Sequence, residues 1–175
     1  MNHPAAPRHI ILIGMPACGK STVGVLAAKT LGYRFIDSDL IIQERDGRRL
    51  HRIIREEGQE GFLKIEEAVN LTLGNDPVPS VIATGGSAVY SPAAMAHFKE
   101  LGTVVYLRLS FETVEKRLGN FTHRGVVMPA GYTLRDLYEE RCALYEQYAD
   151  ITVDEGQTDN IGAVLESLCA HFECD

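Results

Sequence analysis

A chain of 175 residues with 45% hydrophobic and 23% charged side chains is sized for one globular domain with a substantial core. Its formal net charge of −7 argues against a duplex-binding surface, and no apolar run approaches the roughly 18 residues of a membrane span. The four cysteines, Cys18, Cys142, Cys169 and Cys174, show no Cys-x-x-Cys spacing and no accompanying histidine set, so they read as reduced thiols of a cytoplasmic protein rather than a metal site.

Residues 1–7 hold two prolines and no apolar h-region, and read as a short disordered leader rather than a signal peptide. Ile10-Ile11-Leu12-Ile13 then predicts a buried strand, because three of its four residues are β-branched. The strand runs into Gly14-Met15-Pro16-Ala17-Cys18-Gly19-Lys20-Ser21, with Thr22 next and an amphipathic run to Leu31 that Gly32 closes. Strand, Gly-x-x-x-x-Gly-Lys-Ser, helix is the context in which this motif holds a nucleoside triphosphate with Mg²⁺. The two glycines let backbone N–H groups converge on an anion, and the helix starting near Lys20 adds its positive end. Lys20 supplies a point charge for the β- and γ-phosphates, and Ser21 a hydroxyl for the metal. Gly14, Met15, Ala17, Cys18, Gly19, Lys20, Ser21 and Thr22 are the expected nucleotide-binding set. Cys18 reads as a small filler of the loop.

Tyr33 to Ile36 predicts a second short strand ending at Asp37-Ser38-Asp39, with helix from Leu40. Capping needs one aspartate. Two beside a phosphate loop point to metal and substrate work. Gly47 breaks that helix. Arg49 to Glu57 is a second helical piece stopped by Gly58, and Glu60 to Leu73 a third, with Phe62, Ile65, Val69 and Leu73 at helical spacing. Ser80 to Ala83 is a buried strand ending at Thr84-Gly85-Gly86-Ser87, where the glycine pair permits close approach of a ligand. Pro92 starts a helix to Glu100; Thr103 to Leu107 is a strand; Ser110 caps a helix to Leu118. The polar stretch 119–131, with Arg124, reads as a lid. Thr133 caps a helix to Tyr148, Ile151 to Val153 is the last strand, and Asn160 caps a final helix to Phe172.

Five short apolar strands separated by helices predict a single α/β domain, a parallel sheet with helices on both faces. The phosphate loop, Asp37 to Asp39 and Thr84 to Ser87 each follow a strand directly, so all three fall at the carboxyl edge of the sheet, where such folds bind ligands.

These motifs, with Gly58 to Glu66, Val105-Tyr106-Leu107, Arg124 and Arg141-Cys-Ala-Leu-Tyr145, resemble the shikimate kinase family of P-loop kinases. The resemblance runs from Ile10 to Val153. It implies a three-layer P-loop fold with strand order 2-3-1-4-5 and a lid, and transfer of the γ-phosphoryl group of ATP, with Mg²⁺, to a ring hydroxyl of shikimate, a step toward aromatic amino acids. It also implies roles. Ser21 and Asp37 serve the metal. Lys20, Asp39 and Arg124 are catalytic, Asp39 also hydrogen-bonding the acceptor and Arg124 closing on phosphate. Arg117 lies beside the base. Gly85, Gly86 and Arg141 bind the acceptor, Arg141 through its carboxylate. Three positions depart from the family pattern: Leu63 stands at a carboxylate-binding arginine, Ser87 at a third glycine, and Gly125 at a lid proline. Leu63 makes another hydroxylated acid or a cyclitol the alternative acceptor. A nucleotide sensor is the third reading, weakened by the absence of a guanine-reading Asn-Lys-x-Asp motif. The expected partner is a small molecule, with neither nucleic acid nor membrane, and the chain is expected to act as a monomer.

Overall fold

The computed structural model describes residues 9–119, 126–154 and 160–172. Its centre is β1 (His9–Ile13), whose four apolar side chains are wholly buried. Around it lie β2 (Arg34–Asp37), β3 (Ser80–Ala83), β4 (Gly102–Arg108) and β5 (Ile151–Asp154), all parallel, in the order β2-β3-β1-β4-β5. The sheet order matches the expectation. β1 carries the phosphate loop at its end and pairs on both sides, Leu12 lying level with Ala83 of β3 and Val105 of β4. A strand buried on both faces needs apolar residues at successive positions, and β1 and β4 have them.

α1 (Lys20–Leu31) packs on β1, β2 and β3 and against α7 (Ile161–Cys169). On the other side α2 (Ser38–Asp46) packs on α3 (Leu50–Asn70), which touches α4 (Pro92–Leu101); α4 and α6 (Leu134–Tyr148) reach β4. α5 (Phe111–Leu118) leads out of the sheet toward the 119–131 stretch. Among the described residues no helix is long and apolar enough to cross a membrane.

The strand ends differ from the sequence reading by single residues, and the larger differences are in the helices. α2 begins at Ser38, not Leu40, because Asp37 caps it from the last position of β2, its side chain accepting from the N–H groups of Asp39 and Leu40. The two helical pieces on either side of Gly58 form one helix with a kink: Gly58 sits at φ 70°, ψ 179°, a conformation that glycine alone adopts at low cost, and the helix resumes at once. α3 ends at Asn70 rather than Leu73 and α7 at Cys169 rather than Phe172. A short 3₁₀ turn, Ala88–Tyr90, follows the glycine pair. The 1–7 leader lies outside the described residues, as does residues 120–125 of the lid stretch.

Candidate active site

The loop after β1 is shaped by three left-handed residues, Gly14 (φ 148°), Ala17 (φ 65°) and Gly19 (φ 88°). Ala17 is the sole non-glycine at positive φ among the described residues, a strain that such anion-binding loops store. Gly14 admits no substitute, because a Cβ there would stand 2.7 Å from the carbonyl oxygen of Leu107 and 2.8 Å from Cys18 Sγ. Gly14, Met15 and Cys18 form the buried floor of the loop. Lys20 is 8% exposed, and its ammonium folds back under the loop and donates to the carbonyls of Gly14 (2.8 Å) and Met15 (2.9 Å) and toward Cys18 Sγ (3.6 Å). An ammonium has three donors, so the lysine is fixed at the loop rather than left to swing from its stem.

Ala17, Gly19, Lys20, Ser21 and Thr22 form one end of a cavity of about 460 Å³. Asp39, Glu66, Gly85, Gly86 and Arg141 form the other. Arg117 closes the loop end, its Nη1 donating to the carbonyl of Ala17 at 3.3 Å. Every described residue of the expected site thus lines this cavity or lies directly behind it. Asp37 stands behind Ser21, accepting its hydroxyl at 2.6 Å through the carboxylate oxygen that the α2 cap does not use. A hydroxyl and a carboxylate oxygen in contact suit a hard cation. No group of three or more His, Cys, Asp or Glu side chains gathers among the described residues. Mg²⁺ needs none, since it typically takes one or two protein oxygens beside phosphate and water. Ser21 and Asp37 therefore fit the metal role. Arg124 lies outside the described residues.

Two carboxylates meet over Gly85. A Cβ on that residue would lie 2.2 Å from Glu66 Oε1 and 2.9 Å from Asp39 Oδ1. Burial, then the neighbouring Asp37 charge, raises the Asp39 carboxyl to about 6, with Lys20 opposing. Glu66 is 1% exposed. Burial raises it to about 7; the charge of Asp39 adds to this, while the Ser87 hydroxyl, donating to Oε2 at 2.6 Å, opposes it. Oε1 has no hydrogen-bond partner among the described residues. The sequence reading gave Glu66 no role. Its signal was present: an acid four residues after Phe62 and three before Val69, on the face of α3 that enters the core.

Arg141, 1% exposed, reaches the cavity from α6. Its Nη2 donates to the carbonyl of Val127 at 2.5 Å and its Nε to the Tyr90 hydroxyl at 3.3 Å, while Nη1 lies 3.1 Å from where a Cβ on Gly86 would be. Gly86 is itself held by the Tyr145 hydroxyl, which donates to its carbonyl at 2.6 Å. Leu63 and Lys64 do not line this cavity. They line a neighbouring one of about 250 Å³ that shares Glu66 and Ser87 with it.

A family model described as shikimate kinase matches residues 16–171. The chain is similar to the shikimate kinase of Paracidovorax citrulli, 36% identical over 94% of this chain and 91% of that protein. It is similar to that of Thiobacillus denitrificans, 40% identical over 83% of this chain and 80% of that protein. In structure it resembles shikimate kinase from Acinetobacter baumannii in complex with shikimate, with TM-score 0.82 and 30% identity over 95% of this chain and 96% of that one.

Proposed function

The chain belongs to the shikimate kinase family, and on that premise we propose that it transfers the γ-phosphoryl group of ATP, with Mg²⁺, to a ring hydroxyl of shikimate. The observation that carries the reading is that one cavity has a phosphate loop at one end and Asp39 and Arg141 at the other. The relatives named shikimate kinase and the neighbour solved with shikimate support the acceptor.

In this reading Lys20 and the loop N–H groups hold the phosphates, and Ser21 and Asp37 hold the metal, which when bound would offset charge on the β- and γ-phosphates. Arg141 faces the acceptor carboxylate, and Gly85 and Gly86 leave room for its ring. Asp39 receives the hydroxyl proton as the acceptor oxygen bonds to the γ-phosphorus and the bond to ADP breaks. A carboxyl near 6 is mostly ionised at neutral pH and still a better base than an exposed aspartate. Arg117 lies beside the nucleotide base, and Arg124, on a lid formed by 119–131, approaches the phosphates; both roles rest on the family resemblance. We read the protein as a monomer of the cytoplasm: the described residues of one chain make up both ends of the cavity, and the cysteine spacing is that of reduced thiols.

A coupled assay of ADP release with shikimate, beside a panel of other hydroxylated acids and cyclitols, tests the acceptor. Shikimate-dependent turnover with a product heavier by one phosphoryl group is expected. Turnover with a panel member and none with shikimate would refute the assignment.

A further inference from the structure

The side chain that faces the acceptor is itself aimed by a second set of groups. Of the Arg141 guanidinium, the Nη2 corner is bound to the backbone at Val127 and the Nε edge to Tyr90, which leaves Nη1 toward Gly86 and the cavity. The Tyr90 ring also lies under the guanidinium, 5.2 Å from centroid to Cζ. The Tyr90 hydroxyl has one proton, and it goes to Glu140 Oε1 at 2.5 Å, so the oxygen lone pairs are turned to Arg141. The other oxygen of Glu140 accepts from the Tyr132 hydroxyl at 2.7 Å. These two phenols hold the Glu140 carboxyl below its ordinary range, so it stays ionised and keeps the chain polarised in one direction. Glu140 and Arg141 are adjacent on α6 and leave the helix about 100° apart. Tyr90, on the 3₁₀ turn after the glycine pair, bridges that angle.

We propose that Tyr90 and Glu140 are positioning residues for acceptor recognition: the chain from Glu140 through the Tyr90 hydroxyl to Arg141 Nε fixes the guanidinium so that Nη1 meets the carboxylate of the acceptor. The proposal rests on the reading of Arg141 as the acceptor-carboxylate group. Tyr90 and Glu140 touch neither substrate. They act on ground-state binding of one of them, and the nucleotide end of the cavity, built from β1 and α1, is independent of them.

The test is steady-state kinetics with shikimate and ATP for Tyr90→Phe, Glu140→Gln, the double variant and Arg141→Ala, with thermal unfolding of each. Tyr90→Phe keeps the ring and loses both hydrogen bonds of the hydroxyl, one of them to Arg141, so KM for shikimate rises about 3- to 10-fold. kcat and KM for ATP stay within about 2-fold, a split that a general loss of structure would not give. Glu140→Gln has a smaller effect in the same direction. The double variant is no worse than Tyr90→Phe alone, because the two act in series. An unchanged KM for shikimate in Tyr90→Phe, or equal rises for both substrates, overturns the proposal while leaving Arg141 in place. If Arg141→Ala also leaves that KM unchanged, the reading of Arg141 falls and the proposal with it.

Discussion

Glu66→Gln should leave the protein about as stable as wild type in mild acid and more stable than wild type in mild alkali. The carboxyl is raised from 4.5 to about 7 on folding, chiefly by burial. The folded state therefore holds the proton more tightly than the unfolded chain. Its contribution is fully present below about 4.5 and is lost as the pH rises through about 7. At about 1.4 kcal/mol per pH unit, the gap between the two proteins widens to an upper bound of about 3 kcal/mol above pH 8. Glutamine keeps the shape and an acceptor for the Ser87 hydroxyl, so the hydrogen bond on Oε2 survives. Asp39 is present in both proteins, so the comparison reports Glu66 together with its coupling to Asp39. Urea unfolding at intervals from pH 5 to 9, with m-values checked for constancy, measures the gap without reference to activity. Stability curves that run parallel across that range would mean that Glu66 titrates as an exposed carboxylate does, and would refute the argument from burial.

The remaining predictions concern the site. Lys20→Ala should reduce kcat by about 100-fold or more, the loss expected for one electrostatic donor to a transition state that spreads negative charge; near-wild-type turnover would remove the loop from the mechanism. Asp37→Asn should leave the thermal midpoint nearly unchanged, since asparagine caps helices as well as aspartate does. It should raise the Mg²⁺ concentration needed for half-maximal rate by about 10-fold or more; a titration curve identical to wild type would dissociate Asp37 from the metal. Leu63 lines the adjoining cavity, which meets the site at Glu66 and Ser87, so the longer side chain of Leu63→Arg should reach across that seam and lower KM for shikimate by about 10-fold or more through a charged hydrogen bond to the carboxylate. A KM already low in the wild type and unmoved by the substitution would show that Arg141 suffices.

The phosphate loop was legible because its signal is local: four apolar residues, a fixed glycine spacing and a helix start lie within 13 positions. The parallel sheet was legible from buried strands alternating with helices, whereas the strand order came from the family resemblance, since nothing in five short apolar runs says which neighbours pair. Gly58 misled for a physical reason. Glycine at the end of a helical run normally stops it, but here one residue leaves helical geometry and packing of Phe62 and Val69 into the core restores it. Asp37 was read as a site residue and as a cap of the next helix; what differs is where that helix starts, at Ser38, two positions earlier than expected. Glu66 stayed hidden because its importance comes from tertiary burial between Gly85 and Ser87, residues about 20 positions away, and periodicity sees a lone acid on an apolar face only as an interruption. Tyr90 and Glu140 gave no local signal; their contact with each other spans 50 positions.

The central place of β1 bears on how the molecule breathes. Its amides bond within a sheet flanked on both sides, so they meet solvent only when the whole fold opens. A nucleotide gripped at the end of this strand withdraws protein from that open state and slows deuterium uptake there by the factor 1 + [L]/Kd. The two margins of the sheet differ. β2 is tied to the loop through Asp37 and Ser21, so uptake along it follows nucleotide as well. β5 carries no described site residue, and its local fraying leaves the loop intact. Bound nucleotide should therefore quiet the middle and one margin of the sheet and leave the other exchanging at its own pace.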